Sequence, residues 1–140
     1  MESIKHALPG LSIMIVDDDR EATKIIGHIT AKKFPDATIS IADNGKQGLE
    51  LFEEYRPDIV ITDIRMPVMD GIRMARAIKS LKDDTHIIVL TAFNDKASLA
   101  EFREIGFYDY LIKPIEFTKL LATLEKCIFE ISQGRVAKSC

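Results

Sequence analysis

The chain has 140 residues, 46% of them hydrophobic, which is the size and composition of one compact domain with its own core. The formal net charge of −3 argues against nucleic-acid binding by the domain as a whole, and no apolar run approaches the ~20 residues needed to span a bilayer. Two cysteines are too few for a disulfide framework and lack metal-ligand spacing, so we expect a reduced, cytoplasmic setting.

Five short apolar segments, rich in Ile and Val, are predicted as strands. They occupy residues 11–16, 38–42, 58–62, 86–90 and 108–112. Brief segments that are apolar nearly throughout are typical of strands that a parallel sheet buries on both faces.

Segments with helical periodicity separate these strands. The first carries Ala22, Ile25, Ile26 and Ile29 at the i, i+3, i+4 and i+7 positions of one helix face. The next three are predicted to begin after Asn44, Asp70 and Asp95, because these side chains accept hydrogen bonds from the free N–H groups at a helix start.

The last helix is predicted to begin near Glu116 and to end at Gly134. Its apolar stripe consists of Phe117, Leu121, Leu124, Ile128 and Ile131, and Leu120 and Cys127 widen it. A helix packed on the sheet is the simpler interpretation of this face, and a coil projecting toward a partner is the alternative.

The alternation of strands and helices predicts an α/β fold, an open doubly wound (βα)₅ sheet. We expect an N-terminal tail over residues 1–10, one domain over residues 11–131, and a C-terminal tail or the start of a linker over residues 132–140.

Polar side chains follow four of the five predicted strands. Asp17, Asp18 and Asp19 follow the first strand, Asp63 the third, Thr91 the fourth and Lys113 the fifth. Ligands of doubly wound sheets bind outside the carboxyl ends of the strands, so we expect most of these side chains to share one site. If the first and third strands are neighbours, their ends lie ~5 Å apart, and Asp18 and Asp63 can share one ion. Hard oxygen ligands suit Mg²⁺, and an ammonium suits a phosphoryl oxygen. Asp19 is predicted to cap the first helix rather than to join this site.

Four motifs stand in order at the ends of the predicted strands: V-D-D (16–18), D-I-R-M-P (63–67), T-A (91–92) and K-P (113–114). Each motif is weak alone, but together, over residues 11–131, they closely resemble the response-regulator receiver domain of two-component signalling. The resemblance implies a flavodoxin-like sheet of strand order 2-1-3-4-5. It also implies a phosphoprotein that receives its phosphoryl group from a histidine-kinase phosphohistidine, rather than a conventional enzyme.

Matching positions assign the site residues that the resemblance implies. Asp63 would be the phosphoacceptor; Asp17, Asp18, Asp63 and the Arg65 carbonyl would hold Mg²⁺, or Mn²⁺ in its place; Thr91 and Lys113 would contact the phosphoryl group; and Tyr110 would be the switch aromatic. A cis Lys113–Pro114 bond would orient the lysine. The domain would also contribute to its own phosphorylation and dephosphorylation.

The resemblance also implies partners: a sensor histidine kinase or a phosphotransfer protein as donor, and an output domain or partner protein controlled through the surface of helix 4, strand 5 and helix 5. The same face could form a homodimer, and we expect neither membrane nor direct nucleic-acid binding by this domain. Two other functions remain open: a degenerate receiver used only for docking, and a metal-dependent phosphatase of small molecules. The intact acidic, hydroxyl and ammonium set disfavours the first, and the lack of a suitably placed general acid or a lid insertion disfavours the second.

Overall fold

Five parallel strands form one sheet in the computed structural model, which describes residues 10–139. The strands are β1 (Ser12–Val16), β2 (Thr38–Ala42), β3 (Ile59–Asp63), β4 (His86–Thr91) and β5 (Asp109–Ile112). The helices between and after them are α1 (Arg20–Lys33), α2 (Gly45–Tyr55), α3 (Gly71–Leu81), α4 (Lys96–Ile105) and α5 (Phe117–Ser139). Each predicted strand is present, with ends that differ by at most one residue from those expected.

The strand order is β2-β1-β3-β4-β5, and every neighbouring pair is parallel. This confirms the doubly wound order that the resemblance implied. The order reverses at β1, so the carboxyl ends of β1 and β3 lie side by side, and β4 and β5 follow on the same side of β3. Most of the N-terminal tail expected over residues 1–10 lies outside the described residues. Within them, no helix combines the length and the apolar character needed to cross a membrane.

Alternate residues of the strands contribute to two separate cores. In β1, Ile13 and Ile15 pack in the core beneath α1 and α5, whereas Met14 and Val16 pack in the core beneath α2, α3 and α4. Successive side chains of a strand point to opposite faces, so a strand covered by helices on both sides must be apolar at each position. This double burial explains the apolar runs and leaves the strand ends as the place where polar groups can collect.

Side-chain caps fix the starts of the first four helices. Asp19, Asn44, Asp70 and Asp95 each accept a hydrogen bond from the backbone N–H three residues later, at 3.2, 2.9, 2.9 and 3.4 Å. All four caps were predicted from the sequence, and the bond made by Asp95 is the longest of them.

The buried face of α1 differs from the predicted face. Its buried residues are Thr23, Ile26, Gly27 and Thr30, whereas Ile25 is 48% exposed. A Cβ on Gly27 would lie 3.1 Å from a methyl group of Ile41, so the small residues let α1 lie close to the sheet. Apolar periodicity therefore placed the face only approximately: Ile26 is buried and Ala22 and Ile29 are partly buried, but the closest approach is made by small residues.

The end of α5 was predicted wrongly, and one residue of its predicted stripe, Phe117, is exposed. The helix continues through Gly134 to Ser139, and Gly134 does not adopt the left-handed conformation that ends many helices. Its fully buried positions are Leu120, Leu124, Cys127 and Ile128, whereas Phe117 is 41% exposed. The helix thus packs on the sheet, as the simpler interpretation expected. Leu124 and Ile128 of the predicted stripe are buried with Leu120 and Cys127, and Leu121 and Ile131 pack against the same core.

Arg135 ties the extended end of α5 to the amino-terminal edge of the sheet. Its guanidinium donates to Asp58 Oδ1 at 2.6 Å, and the other Asp58 oxygen accepts from the Ser12 N–H at 3.0 Å. One carboxylate thereby links the beginnings of β1 and β3 to α5.

Two glycines hold the loop between β3 and α3 at the carboxyl edge. Gly71 packs on the Asp63 carbonyl and donates its N–H to the Ile64 carbonyl at 2.8 Å. The Gly45 N–H, at the start of α2, donates to the Met69 carbonyl at 2.9 Å. A Cβ at either glycine would overlap these backbone atoms, so both positions need glycine.

Val68 lies in this loop with unfavourable backbone geometry. Its φ is 71°, its side chain is 72% exposed, and the Met69 N–H donates to the Pro67 carbonyl across it at 2.8 Å. Positive φ is costly for a β-branched residue, because its Cβ crowds the backbone and no packing here offsets the cost.

We therefore expect Val68→Asn to raise the free energy of unfolding by ~1 kcal/mol, since asparagine tolerates this conformation better than valine does. Urea denaturation of both proteins measures the difference. Val68→Thr is the matched control, because threonine is polar yet still β-branched and should leave stability near the wild-type value. If asparagine stabilises the protein no more than threonine does, backbone strain is absent at this position.

Candidate phosphoryl-transfer site

Three carboxylates meet at the carboxyl ends of β1 and β3. One oxygen from each of Asp17, Asp18 and Asp63 lies within 4.8 Å of the other two. Val16 pairs with Thr62 in the sheet register, so the residues that follow them are neighbours. Asp17 is buried, Asp63 is partly buried and Asp18 is exposed, which leaves the cluster open to solvent on one side.

Lys113 lies between two of these acids. Its ammonium is 3.1 Å from Asp17 Oδ2 and 3.2 Å from Asp63 Oδ2. The peptide bond from Lys113 to Pro114 is cis, as the resemblance implied, and the Lys113 N–H donates to the Thr91 carbonyl at 2.9 Å.

Backbone N–H groups fix the orientation of both carboxylates. Asp17 Oδ1 accepts from the Asp19 N–H at 3.0 Å, and Asp63 Oδ1 accepts from the Ile64 N–H at 2.8 Å. Each of these two acids thus has one oxygen bound to its own loop and the other facing Lys113. The side chain of Asp19 points away from this group and caps α1, as predicted.

The electrostatics of the site follow from having more acids than bases. Burial, reinforced by the charge of Asp17, raises the pKa of Asp63 above its usual value, although Lys113 and the Ile64 N–H act in the opposite direction. Burial lowers the pKa of Lys113, but the charges of Asp63 and Asp17 outweigh burial and raise it overall. The excess negative charge disfavours a further anion unless a cation enters with it.

The donor set fits a magnesium ion. All three side chains offer hard carboxylate oxygens, they are close enough to bind one ion, and the exposed side of the cluster leaves room for water or phosphoryl oxygens. A divalent cation would also relieve the repulsion that raises the pKa of Asp63. The ligand role predicted for the Arg65 carbonyl stays a prediction.

Thr91 lies between two cavities. It ends β4, is buried, and its hydroxyl donates to the Ala92 carbonyl at 3.3 Å. With Asp63 and Lys113 it lines a cavity of about 420 Å³. With Leu99, Tyr110 and other residues it also lines a second cavity of about 260 Å³, toward α4 and β5.

The Tyr110 ring lies beside this second cavity and is half-exposed. It stacks on Phe107 with ring centroids 6.1 Å apart, and Phe107 stacks on Phe102 at 6.5 Å. The switch role that the resemblance implied for Tyr110 stays a prediction, and the sequence gave no sign of Phe107 as its support.

Asp95 is the site residue whose contact the sequence analysis missed. It was predicted only as a helix cap, yet its carboxylate also binds the Arg65 guanidinium through two contacts, at 3.1 and 3.3 Å. Both residues line the same cavity as Asp63. The sequence offered one signal for this contact: Arg65 follows β3, which ends in Asp63, and Asp95 follows β4, which ends in Thr91.

This geometry agrees with the comparison to protein families. The model of the response regulator receiver domain matches residues 13–125. The chain therefore belongs to the response regulator receiver domain family of two-component systems. Members of this family are phosphorylated by histidine kinases and generally bind Mg²⁺.

Two characterised relatives illustrate the similarity. The transcriptional regulatory protein ZraR of Escherichia coli K12 is 35% identical over 118 residues, which cover 84% of this chain and 26% of ZraR. The response regulator MprA of Mycolicibacterium vanbaalenii is 34% identical over 112 residues, which cover 80% of this chain and 48% of MprA. The chain thus spans about a quarter to a half of the length of these relatives.

Solved structures give the same result. The N-terminal domain of an uncharacterized protein from Wolinella succinogenes is 35% identical, with a TM-score of 0.82 over 89% of this chain and 98% of that one. The BeF3-activated receiver domain of DrrB is 26% identical, with a TM-score of 0.75 over 84% of this chain and 97% of that one.

The neighbouring acids Asp18 and Asp19 allow a direct test of the metal site. Losing even an outer partner of a metal ligand costs ~10–100-fold in affinity, so we expect Asp18→Asn to weaken Mg²⁺ binding by at least about tenfold. Asp19→Asn is the control, because asparagine also caps helices and Asp19 lies outside the cluster. Titration of each protein with Mg²⁺, followed by amide chemical shifts, gives the affinities. Equal weakening by both substitutions would show that the acids have been assigned wrongly.

Proposed function

We propose that this domain accepts a phosphoryl group on Asp63 from the phosphohistidine of a sensor histidine kinase or a phosphotransfer protein. The observation that carries the proposal is the position of Lys113, whose ammonium contacts Asp17 and Asp63 in a cavity that Thr91 also lines. A carboxylate nucleophile, a fixed cation and a hydroxyl donor are the groups that phosphoryl transfer to an aspartate needs.

The transfer itself needs little from the protein beyond positioning. The Asp63 carboxylate attacks phosphorus in line, the bond from phosphorus to the donor imidazole nitrogen breaks, and its electron pair returns to that nitrogen. Lys113 lies where it can neutralise charge on the transferring oxygens, and the Ile64 N–H holds the attacking carboxylate in place. Magnesium, bound by Asp17, Asp18, Asp63 and the Arg65 carbonyl, or Mn²⁺ in its place, would supply further positive charge for the same oxygens.

The signal would leave through Thr91. In the proposed order of events, a phosphoryl oxygen draws the Thr91 hydroxyl away from the Ala92 carbonyl, and the Tyr110 ring then turns into the second cavity. The surface of α4, β5 and α5 then changes what it can bind: an output domain, a partner protein or a second copy of the chain. The position of Thr91 between the two cavities supports this route. A cytoplasmic location and a role without direct DNA contact by this domain complete the proposal.

The two other candidate functions have less support. A docking module with a vestigial pocket has no need for the Lys113 contacts to two acids. A phosphatase of small molecules needs a general acid beside the nucleophile, and the nearest buried carboxyl, Asp17, is held by Lys113 and the Asp19 N–H.

Acetyl phosphate with Mg²⁺ separates the three functions. We expect the intact mass of the wild-type protein to rise by one phosphoryl group, with an adduct that is stable in acid and labile in base. Asp63→Asn should abolish the increase, because an amide is a poor nucleophile here. Asp19→Asn should keep it, since its carboxylate lies outside the cluster.

Other outcomes of this experiment would contradict the proposal. Release of many phosphates per protein with no acid-stable adduct would indicate an enzyme, and the absence of both an adduct and phosphate release would indicate a docking module. Labelling of Asp63→Asn at the wild-type level would place the acceptor elsewhere.

Thr91→Ala tests the route by which the signal leaves. We expect this variant to take up the phosphoryl mimic beryllofluoride at Asp63, yet to show weaker shift changes around Tyr110 and across residues 96–131, because no hydroxyl links the two cavities. Thr91→Ser is the matched control and should keep the response. Amide chemical shifts with and without beryllofluoride measure it. Identical responses of the alanine variant and the wild type would exclude Thr91 as the relay.

A further inference from the structure

A two-contact ion pair crosses the mouth of the cavity that contains Asp63. Arg65 Nε lies 3.1 Å from Asp95 Oδ2, and Arg65 Nη2 lies 3.3 Å from Asp95 Oδ1. Arg65 belongs to the loop after β3 and Asp95 to the loop after β4. Both residues line the same cavity as the proposed acceptor and Lys113.

Asp95 serves two partners at once. The oxygen that contacts Arg65 Nη2 is also the one that accepts the Ser98 N–H and caps α4. This cap bond is 3.4 Å long, against 2.9 to 3.2 Å for the caps of α1, α2 and α3. The start of α4 thus depends on a carboxylate oxygen that it shares with Arg65.

The two members of the pair differ in freedom of movement. The Arg65 side chain is 78% exposed, so neighbours do little to restrain it, whereas the Asp95 side chain is 10% exposed. A change of partner would therefore move the guanidinium first. Asp95 accepts the Ser98 N–H, so a movement of its carboxylate would change the first turn of α4.

A phosphoryl group on Asp63 would compete with Asp95 for this guanidinium. It brings three strong acceptor oxygens and a charge near −2 into a cavity that Asp95 already lines. Arginine binds phosphoryl oxygens and carboxylates with the same two-pronged geometry, and the more highly charged group attracts it more strongly. Asp95 would then face a dianion without its cation.

We propose that Arg65 is a positioning residue that links the phosphorylation state of Asp63 to α4. Its guanidinium binds Asp95 when Asp63 is free, and binds the phosphoryl oxygens when Asp63 is phosphorylated. The exchange releases Asp95 and lets the first turn of α4 move. This inference rests on the proposed phosphorylation of Asp63, and it adds a second route to the one through Thr91.

A matched control joins the two helices that follow these loops, α3 and α4. Arg76 on α3 binds Glu101 on α4 at 3.4 Å, and both of these side chains are about half-exposed. An exposed surface ion pair contributes little to stability. If the Arg65–Asp95 pair were only structural, removing it or the Arg76–Glu101 pair would leave the response of α4 to beryllofluoride unchanged.

The experiment compares the wild type, Arg65→Gln, Arg65→Lys, Asp95→Asn and Arg76→Gln by amide chemical shifts, with and without saturating beryllofluoride and Mg²⁺. We expect Arg65→Gln to lose most of the shift change over residues 95–99, and Arg76→Gln to keep it. Arg65→Lys should respond partially, because an ammonium keeps the charge but not the two-pronged contact. Asp95→Asn, which still caps the helix, should shift these amides toward their beryllofluoride positions before any mimic is added.

A full wild-type response of residues 95–99 in Arg65→Gln at saturation would overturn the proposal, as would an equal loss in Arg76→Gln. Failure of the proposed function gives a different result, because the wild type itself would then take no phosphoryl group from acetyl phosphate.

Discussion

The contact of one ammonium with two carboxylates organises the carboxyl edge of this domain. Lys113 follows β5, yet it reaches Asp63 after β3 and Asp17 after β1. Strands lie ~4.8 Å apart, so this reach crosses two to three strand spacings and needs a long side chain. Asp17 is almost fully buried, and a buried carboxylate is costly unless a cation or hydrogen-bond donors compensate it. The loops after β1, β3 and β5 therefore have to converge at Lys113.

The fold was predictable because its strands are buried on both faces. Double burial makes a strand such as Ile59–Asp63 apolar over nearly its whole length. Such an apolar run can be recognised in the sequence without knowledge of the tertiary structure. Helix faces were less predictable, because a helix can approach the sheet through small residues. Ile25 is exposed and Thr23 is buried for this reason, and Gly134 continues α5 although glycine often ends a helix. Periodicity reports hydrophobicity, whereas the distance between helix and sheet depends on side-chain volume.

The candidate site also contains contacts that could be predicted from the sequence and contacts that could not. Asp17, Asp18, Asp63, Thr91 and Lys113 could be placed together because each follows a strand, and parallel strands end at one edge. The contact of Arg65 with Asp95 could not be predicted, since it joins two loops whose side-chain directions depend on the loop conformation. The stacking of Tyr110 on Phe107 was also hidden, because it depends on how the chain turns between α4 and β5. Contacts made by strand ends follow from topology, and contacts between loops do not.

The continuous end of α5 has a geometric consequence. Because Arg135 is bound to Asp58 at the base of β3, the last turns of the helix keep a fixed rotational phase relative to the sheet. Each residue of an α-helix turns the chain by about 100°, so a single insertion between Arg135 and a segment fused behind the helix would turn that segment to another side of the domain. Insertion of seven residues would nearly restore the original direction, about two full turns further along the axis. The spacing behind α5, more than its composition, would decide which face of the domain an attached segment meets.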